Sequence, residues 1–443
     1  MVRQVSFTLE VDHNRFVSER ASEAHLAITV TGHHPVREDG EPGEPPDGGT
    51  RASEEGTLSE VLLVDCSSSM RFPATTMPET RRAAVAAVDL LPEGARFAVV
   101  AGTTTARVVY PETGGLAVSS ARTRREAATA IGGLTPDGGT AMGRWLRAAN
   151  DLFADLPGPR HAILLTDGLN QGESLRELAA ALEECRGRFV CDCRGVGTGW
   201  RVDELRSITT ALLGTVDIVA DPEDLAADFR STVAAAVARV QPAVALRVWT
   251  PELTRPRFLR QVHPEVRSLE GVPVPGAPQD LDHPTGSWGA ESRTYHLCVE
   301  IPPLRVGEEV LVARLTVVQE DGGPPLGAPV LVTVTGSADV DRVARVDPVL
   351  AHYTGQTDLA EAVRTGLDAR RRGDTELATA MLQRAVALAT ESGHEETAEL
   401  LAEVVEVVDE RSGTIRLRAR VAREAEMALD ARSTRTLRLG RPR

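Results

Sequence analysis

At 443 residues the chain is too long for one ordinary domain and predicts two to four. Its 42% hydrophobic and 26% charged residues fit a soluble globular protein and exclude a membrane-embedded or disordered one. A net charge of −15 argues against nucleic-acid partners, and because all 49 basic residues are arginine, the chain holds neither a P-loop lysine nor a Schiff-base lysine.

No apolar run approaches the roughly 20 residues of a membrane span, and the N-terminal sequence lacks a signal-peptide pattern. The expectation is a cytoplasmic protein with no membrane partner. Cys66, Cys185, Cys191, Cys193 and Cys298 are few and odd in number. Cys191 and Cys193 share one face of a predicted strand, but no second pair completes a zinc set, so the cysteines read as reduced core residues, with redox or metal chemistry as the alternative.

Residues 4–10 and 25–31 read as strands within an N-terminal segment, 1–32. Residues 33–57, with "REDGEPGEPPDGGT", cannot bury a core and read as a flexible loop. From 58 to 240 apolar strands at 60–65, 96–101, 106–110, 161–166, 189–195 and 215–220 alternate with helical patterns at 78–91, 120–132, 141–154, 174–186, 202–213 and 222–238. That alternation predicts an α/β fold, a doubly wound and mostly parallel sheet with helices on both faces. Ligands of such sheets bind at the C-terminal strand ends, near the point where the strand order reverses.

From 242 to 337 the pattern is all-β. Two N-terminal strands are not stable alone, so the economical reading is one β-sandwich built from both ends of the chain, with the α/β domain inserted; separate small sheets are the alternative. Residues 338–432 read as a helical region. Within it, 369–389 has helical-hairpin spacing, and "TIRLRARVAR" is ambiguous between strand and helix. The basic end, 433–443, reads as a disordered tail in which Ser433, Thr434 and Thr436 stand among arginines as candidate phosphorylation sites.

The informative stretch is "VDCSSSM", where the first α/β strand ends in Asp65, followed by Ser67 and Ser69. Serines at such a place commonly cap a helix. The alternative is a metal site, and the rest of one is present downstream. "TPDGGTAMGRWL" sets Thr140 before a helix, and "AILLTDGLNQG" sets Asp167 at the end of another strand. Hydroxyls and carboxylates without sulfur or imidazole suit a hard divalent ion, Mg²⁺ best, with Mn²⁺ and Ca²⁺ as alternatives. Asp137 reads as part of a turn, and Trp145 as core.

Asp65-Cys-Ser67-Ser-Ser69, Gly-Gly-Thr140 and Thr-Asp167-Gly together resemble the metal-ion-dependent adhesion site of von Willebrand factor type A domains, and the resemblance covers roughly 58–240. It implies that Ser67, Ser69 and Thr140 touch the metal directly, that Asp65 and Asp167 act through water, and that a partner protein's Asp or Glu completes the coordination. It also implies a short antiparallel edge strand, at 106–110. The whole layout resembles actinobacterial cytoplasmic type A proteins, which implies a signalling scaffold near kinases, phosphatases and forkhead-associated proteins. The expected function is therefore metal-dependent protein binding, not catalysis. The alternatives are an accessory subunit of an ATPase or metal-insertion complex, or a hydrolase using Asp65. Against the last, a haloacid-dehalogenase-type nucleophile needs a second Asp where Ser67 stands and a lysine, and no G-x-S-x-G elbow occurs.

Overall fold

In a computed structural model that describes residues 5–33, 57–154, 156–320, 324–409 and 414–439, the apolar runs form strands and the amphipathic stretches form helices. The chain begins with β1 (Ser6–His13), β2 (Phe16–Ser18) and β3 (Glu23–His33). The loop expected at 33–57 lies, for residues 34–56, outside the described residues. An alternating segment follows: β4 (Ser59–Asp65), α1 (Thr76–Asp89), β5 (Arg96–Gly102), β6 (Ala106–Tyr110), β7 (Ala117–Val118), α2 (Ala121–Gly132), α3 (Met142–Phe153), β8 (Arg160–Thr166), α4 (Leu175–Cys185), β9 (Val190–Val196), α5 (Val202–Ala211), β10 (Val216–Val219) and α6 (Leu225–Ala238). Strands β11 (Gln241–Trp249), β12 (Arg255–His263), β13 (Arg267–Leu269), β14 (Val272–Val274), β15 (Ala277–Trp288), β16 (Ser292–Glu300), β17 (Glu309–Gln319) and β18 (Val330–Ser337) come next. The last elements are α7 (Val340–Ala344), α8 (Pro348–Arg371), α9 (Thr375–Ser392), α10 (Glu395–Val404), β19 (Val405–Asp409), β20 (Thr414–Leu417) and α11 (Arg423–Arg432). Among the described residues, no helix is long and apolar enough to cross a membrane.

These elements divide into two compact units. The first holds one sheet in the order β10-β9-β8-β4-β5-β6, with β7 also on β5. Strands β10, β9, β8, β4 and β5 run parallel; β6 and β7 pair antiparallel to β5, so residues 106–110 form the expected edge strand. Every residue of β4 is buried, which explains its unbroken apolar run, because helices cover a parallel sheet on both faces. Leu62, Val99 and Ile163 share a cluster with Ala87 of α1, Ile131 of α2 and Phe229 of α6. On the other face two glycines admit tryptophans. A Cβ on Gly102 would lie 2.4 Å from the Trp145 ring, and one on Gly195 would lie 1.9 Å from Trp200. Both tryptophans are fully buried, in Trp145's case as the sequence predicts. The crossover after β4 leads through α1 to β5 on one side, and the chain returns through α3 to β8 on the other. The strand order therefore reverses between β4 and β8.

A buried polar clamp joins three strands of this sheet near their N-terminal ends. His161 on β8 meets Glu60 on β4 through Nδ1 at 2.8 Å and Asp192 on β9 through Nε2 at 3.0 Å. Asp192 also accepts from the Thr215 amide and hydroxyl. Burial alone would lower the imidazolium, but the two carboxylates outweigh it and raise His161 to about 9. Burial would likewise raise Asp192, yet His161 holds it well below the usual carboxylate range, whereas burial dominates at Glu60 and raises it.

The second unit has two sheets, β1-β3-β16-β12-β13 and β14-β15-β11-β17-β18-β2. Both draw strands from the two ends of the sequence: β3 pairs antiparallel with β16, and β2 pairs parallel with β18. Separate small sheets, the alternative reading, are not what forms. Helices α8 and α9 make the expected hairpin, packed so closely that a Cβ on Gly366 would lie 2.7 Å from Leu382. The ambiguous "TIRLRARVAR" resolves into β20, paired with β19, followed by irregular chain.

The expectation of a disordered tail fails for residues 433–439. Val266 N donates to Thr434 O, Thr436 N to Pro264 O, and Leu437 N to Gln356 Oε1. Ser433 is buried and donates to Asp430 O. The arginines misled the reading: backbone groups, not side-chain character, hold this strap. Residues 440–443 lie outside the described residues.

Candidate metal centre

The register between β4 and β8 pairs Val64 with Leu165, which brings Asp65 beside Thr166 at the C-terminal strand ends. Asp65 is fully buried and both its oxygens are engaged. Oδ1 accepts from Ser67 N at 2.7 Å and Oδ2 from Thr166 Oγ1 at 2.5 Å. Beyond Asp65 the chain makes a short 3₁₀ turn, Ser68–Arg71, with Ser67 at its N-cap position. The capping explanation can be tested directly there, and Ser67 makes no side-chain cap hydrogen bond. Its Oγ lies 2.9 Å from Ser69 Oγ, which donates to Asp167 Oδ1 at 2.5 Å.

Thr140 arrives on a second loop, tied to the first by Asp137 N to Cys66 O and Ser68 N to Gly138 O. Asp137 thus serves the turn, as its sequence context predicts. Thr140 does not cap α3 either. That helix start is served by Asn170, which accepts from Met142 N at 3.0 Å, and by Glu173, which accepts from Gly143 N at 2.5 Å. The third loop, after β8, carries Asp167 and Gly168. A Cβ on Gly168 would lie 3.0 Å from Ser69 Oγ, 3.3 Å from Thr140 Oγ1 and 3.8 Å from Ser67 Oγ. Three hydroxyls therefore converge on one small space that the absence of a side chain keeps open.

The electrostatics of this space favour a cation. Burial raises Asp65 to about 6, and the neighbouring Asp167 charge adds to the rise against the hydrogen bonds from Ser67 and Thr166. Asp167 is raised as well, by burial. Neither carboxylate has an ion-pair partner among the described residues. Two uncompensated buried carboxylates beside three hydroxyls form an all-oxygen donor set, which fits a hard divalent ion.

The structure thus brings Asp65, Ser67, Ser69, Thr140 and Asp167 to one strand edge. Sequence reasoning missed the residues that shape it. Thr166 orients Asp65. Gly172 donates its N–H to Thr140 O at 2.6 Å, where a Cβ would crowd that carbonyl at 2.8 Å. Gly199 packs against the Asp167 carbonyl, where a Cβ would sit at 2.2 Å. The glycines in "TDGLNQG" and "GTG" were visible; their close approaches depend on folding.

Comparison with known proteins agrees with this architecture. A family model described as von Willebrand factor type A domain matches residues 60–218, and one described as von Willebrand factor type A C-terminal domain matches residues 387–433. Among solved structures, a von Willebrand factor type A protein from Catenulispora acidiphila is 40% identical, covering 99% of this chain and 98% of that one, with a TM-score of 0.91. The ArnB paralog VWA2 from Sulfolobus acidocaldarius is 12% identical over 98% of both chains, with a TM-score of 0.57, a likeness of fold alone. No curated protein matches the chain.

Proposed function

The chain belongs to the von Willebrand factor type A family, and on that footing we propose that it is a metal-dependent protein-binding module. Ser67, Ser69 and Thr140 would hold a hard divalent cation, Mg²⁺ first, with its charge balanced by Asp65 and Asp167. The observation that carries this reading is the convergence of three non-capping hydroxyls around Gly168, next to two unpaired buried carboxylates. When bound, the ion supplies a positive centre for a partner's Asp or Glu.

The chain's own residues fit that task. The Ser67 amide and Thr166 hydroxyl fix Asp65 before any ligand arrives. Phe72 and Leu175, on the segments that follow Ser69 and Asp167, are 78% and 73% exposed, apolar side chains that a protein partner could cover. Among the described residues neither Ser67 nor Ser69 meets an imidazole, the usual base of a nucleophilic serine, which favours binding over catalysis. The partner class we assign is a cytoplasmic signalling protein, with forkhead-associated, kinase and phosphatase proteins tested first.

Calorimetric titration of metal-free protein with Mg²⁺ should give one site. Asp65→Ala and Thr140→Ala should each lose that site and the chelator-sensitive capture of partners while keeping a cooperative melt. If Asp65→Ala recovers the same partners as wild type, binding lies elsewhere and the metal bridge is wrong.

A further inference from the structure

The second unit carries a cluster of donor atoms of a different kind. Glu23 and His25 are two residues apart on β3 and share a face, as do His296 and Cys298 on β16. The antiparallel register sets Cys298 opposite His25. Glu23 Oε2 lies 3.5 Å from His25 Nε2 and accepts from Cys298 Sγ at 3.7 Å. One ligand atom from each of these three residues lies within 4.8 Å of the others. A tetrahedral zinc site, with Zn–S of about 2.3 Å and Zn–N and Zn–O of about 2.0–2.1 Å, has ligand–ligand edges of roughly 3.3–3.6 Å. The 3.5 and 3.7 Å distances are close to that spacing.

We propose that Glu23 Oε2, His25 Nε2 and Cys298 Sγ form a second metal site, suited to a borderline-soft divalent cation of the zinc type, with His296 positioning the His25 ring. The other His25 nitrogen, Nδ1, lies 3.0 Å from His296 Nε2. When His25 Nδ1 donates there, its Nε2 keeps a lone pair on the side of Glu23 and Cys298. This is the outer support that metal-binding histidines use.

Without metal, the Cys298 S–H points to the Glu23 carboxylate. On binding, the S–metal bond replaces the S–H bond and the proton leaves to solvent. Arg257 pairs with Glu23 Oε1, leaving Oε2 to face the cluster. The side chains of His25 and Glu23 are 40% and 30% exposed over a buried Cys298, so the site has an entry path from solvent. Sulfur and imidazole distinguish it from the all-oxygen centre, so the two sites would sort metals by hardness.

The test is titration of the full metal-free chain with Co²⁺, in wild type and in Asp65→Ala. One equivalent should produce a thiolate-to-cobalt charge-transfer absorption that Zn²⁺ bleaches by displacement. The band should survive Asp65→Ala, since an oxygen-only centre cannot produce it, and vanish in Cys298→Ser. The partly exposed Glu23→Gln, with the melt unchanged, should weaken Zn²⁺ by tenfold or more, and His296→Gln by about tenfold to a hundredfold. Absence of the band in wild type, its persistence in Cys298→Ser, or unchanged Zn²⁺ affinity in Glu23→Gln would each overturn the site. The Glu23→Gln arm decides the matter if Cys298→Ser does not fold.

Discussion

Gly168 shows how much a single missing side chain can control. Its backbone accepts alanine, but the added methyl would stand 3.0 Å from Ser69 Oγ and 3.3 Å from Thr140 Oγ1, inside the space where the hydroxyls converge. Gly168→Ala should therefore cut Mg²⁺ affinity at least tenfold by calorimetry, with the melting temperature nearly unchanged. The exposed Ser68 hydroxyl offers the contrast, and Ser68→Ala should stay within about 0.5 kcal/mol of wild type with full metal binding. The five residues proposed to hold the ion could be named from the sequence, because hydroxyls and carboxylates at strand ends have a short local signature, and the structure brings them together. Thr166 and Gly168 stand in the Thr-Asp167-Gly motif, but their roles were not legible, because they depend on Asp65 and Ser69, about a hundred residues away.

At the level of the element, β4, β8 and β9 are fastened twice, by apolar packing along their length and by the Glu60–His161–Asp192 clamp. The apolar runs made the strands legible. The clamp was not, since Glu60 and His161 are 101 residues apart and only the parallel register pairs them. Its pH dependence has a definite sign. His161 is raised, so its contribution is complete below its ordinary value and is lost as pH rises through about 9. Asp192 is lowered, so its share holds above the ordinary carboxylate range and is lost as pH falls through its depressed value. Glu60, raised by burial, has the opposite sign to Asp192: its own ionisation costs stability as pH rises above the ordinary carboxylate range. Thermal melts should show wild type losing stability between about pH 6.5 and 9, and His161→Gln losing much less over that range. At neutral pH the substitution leaves two buried carboxylates without their cation and should cost about 3–5 kcal/mol.

On the scale of the whole molecule, the two ends of the sequence build one unit. Deleting residues 1–33 removes two of five strands from one sheet and β2 from the other. Differential scanning calorimetry should show that unit's melting temperature falling by more than about 10 °C, as a loss of several kcal/mol implies. The strap at 433–439 adds a smaller term. Ser433→Ala removes one buried hydrogen bond and should cost about 1 kcal/mol in chemical denaturation, while Ser433→Glu, which buries an unpaired charge, should cost clearly more. Strand content made the sheets legible, but the strap was hidden because its bonds use backbone atoms that any sequence carries. The pairing of β3 with β16 also imposes a schedule on the ribosome. Glu23 and Cys298 are 275 residues apart, so at about 5–20 residues per second the hairpin of β1 and β3 waits roughly 14–55 s for its next strand. The edge of β3 stays open throughout that interval, while the α/β segment is completed behind it. A nascent chain of this protein thus offers a holdase chaperone a target that the finished molecule no longer displays.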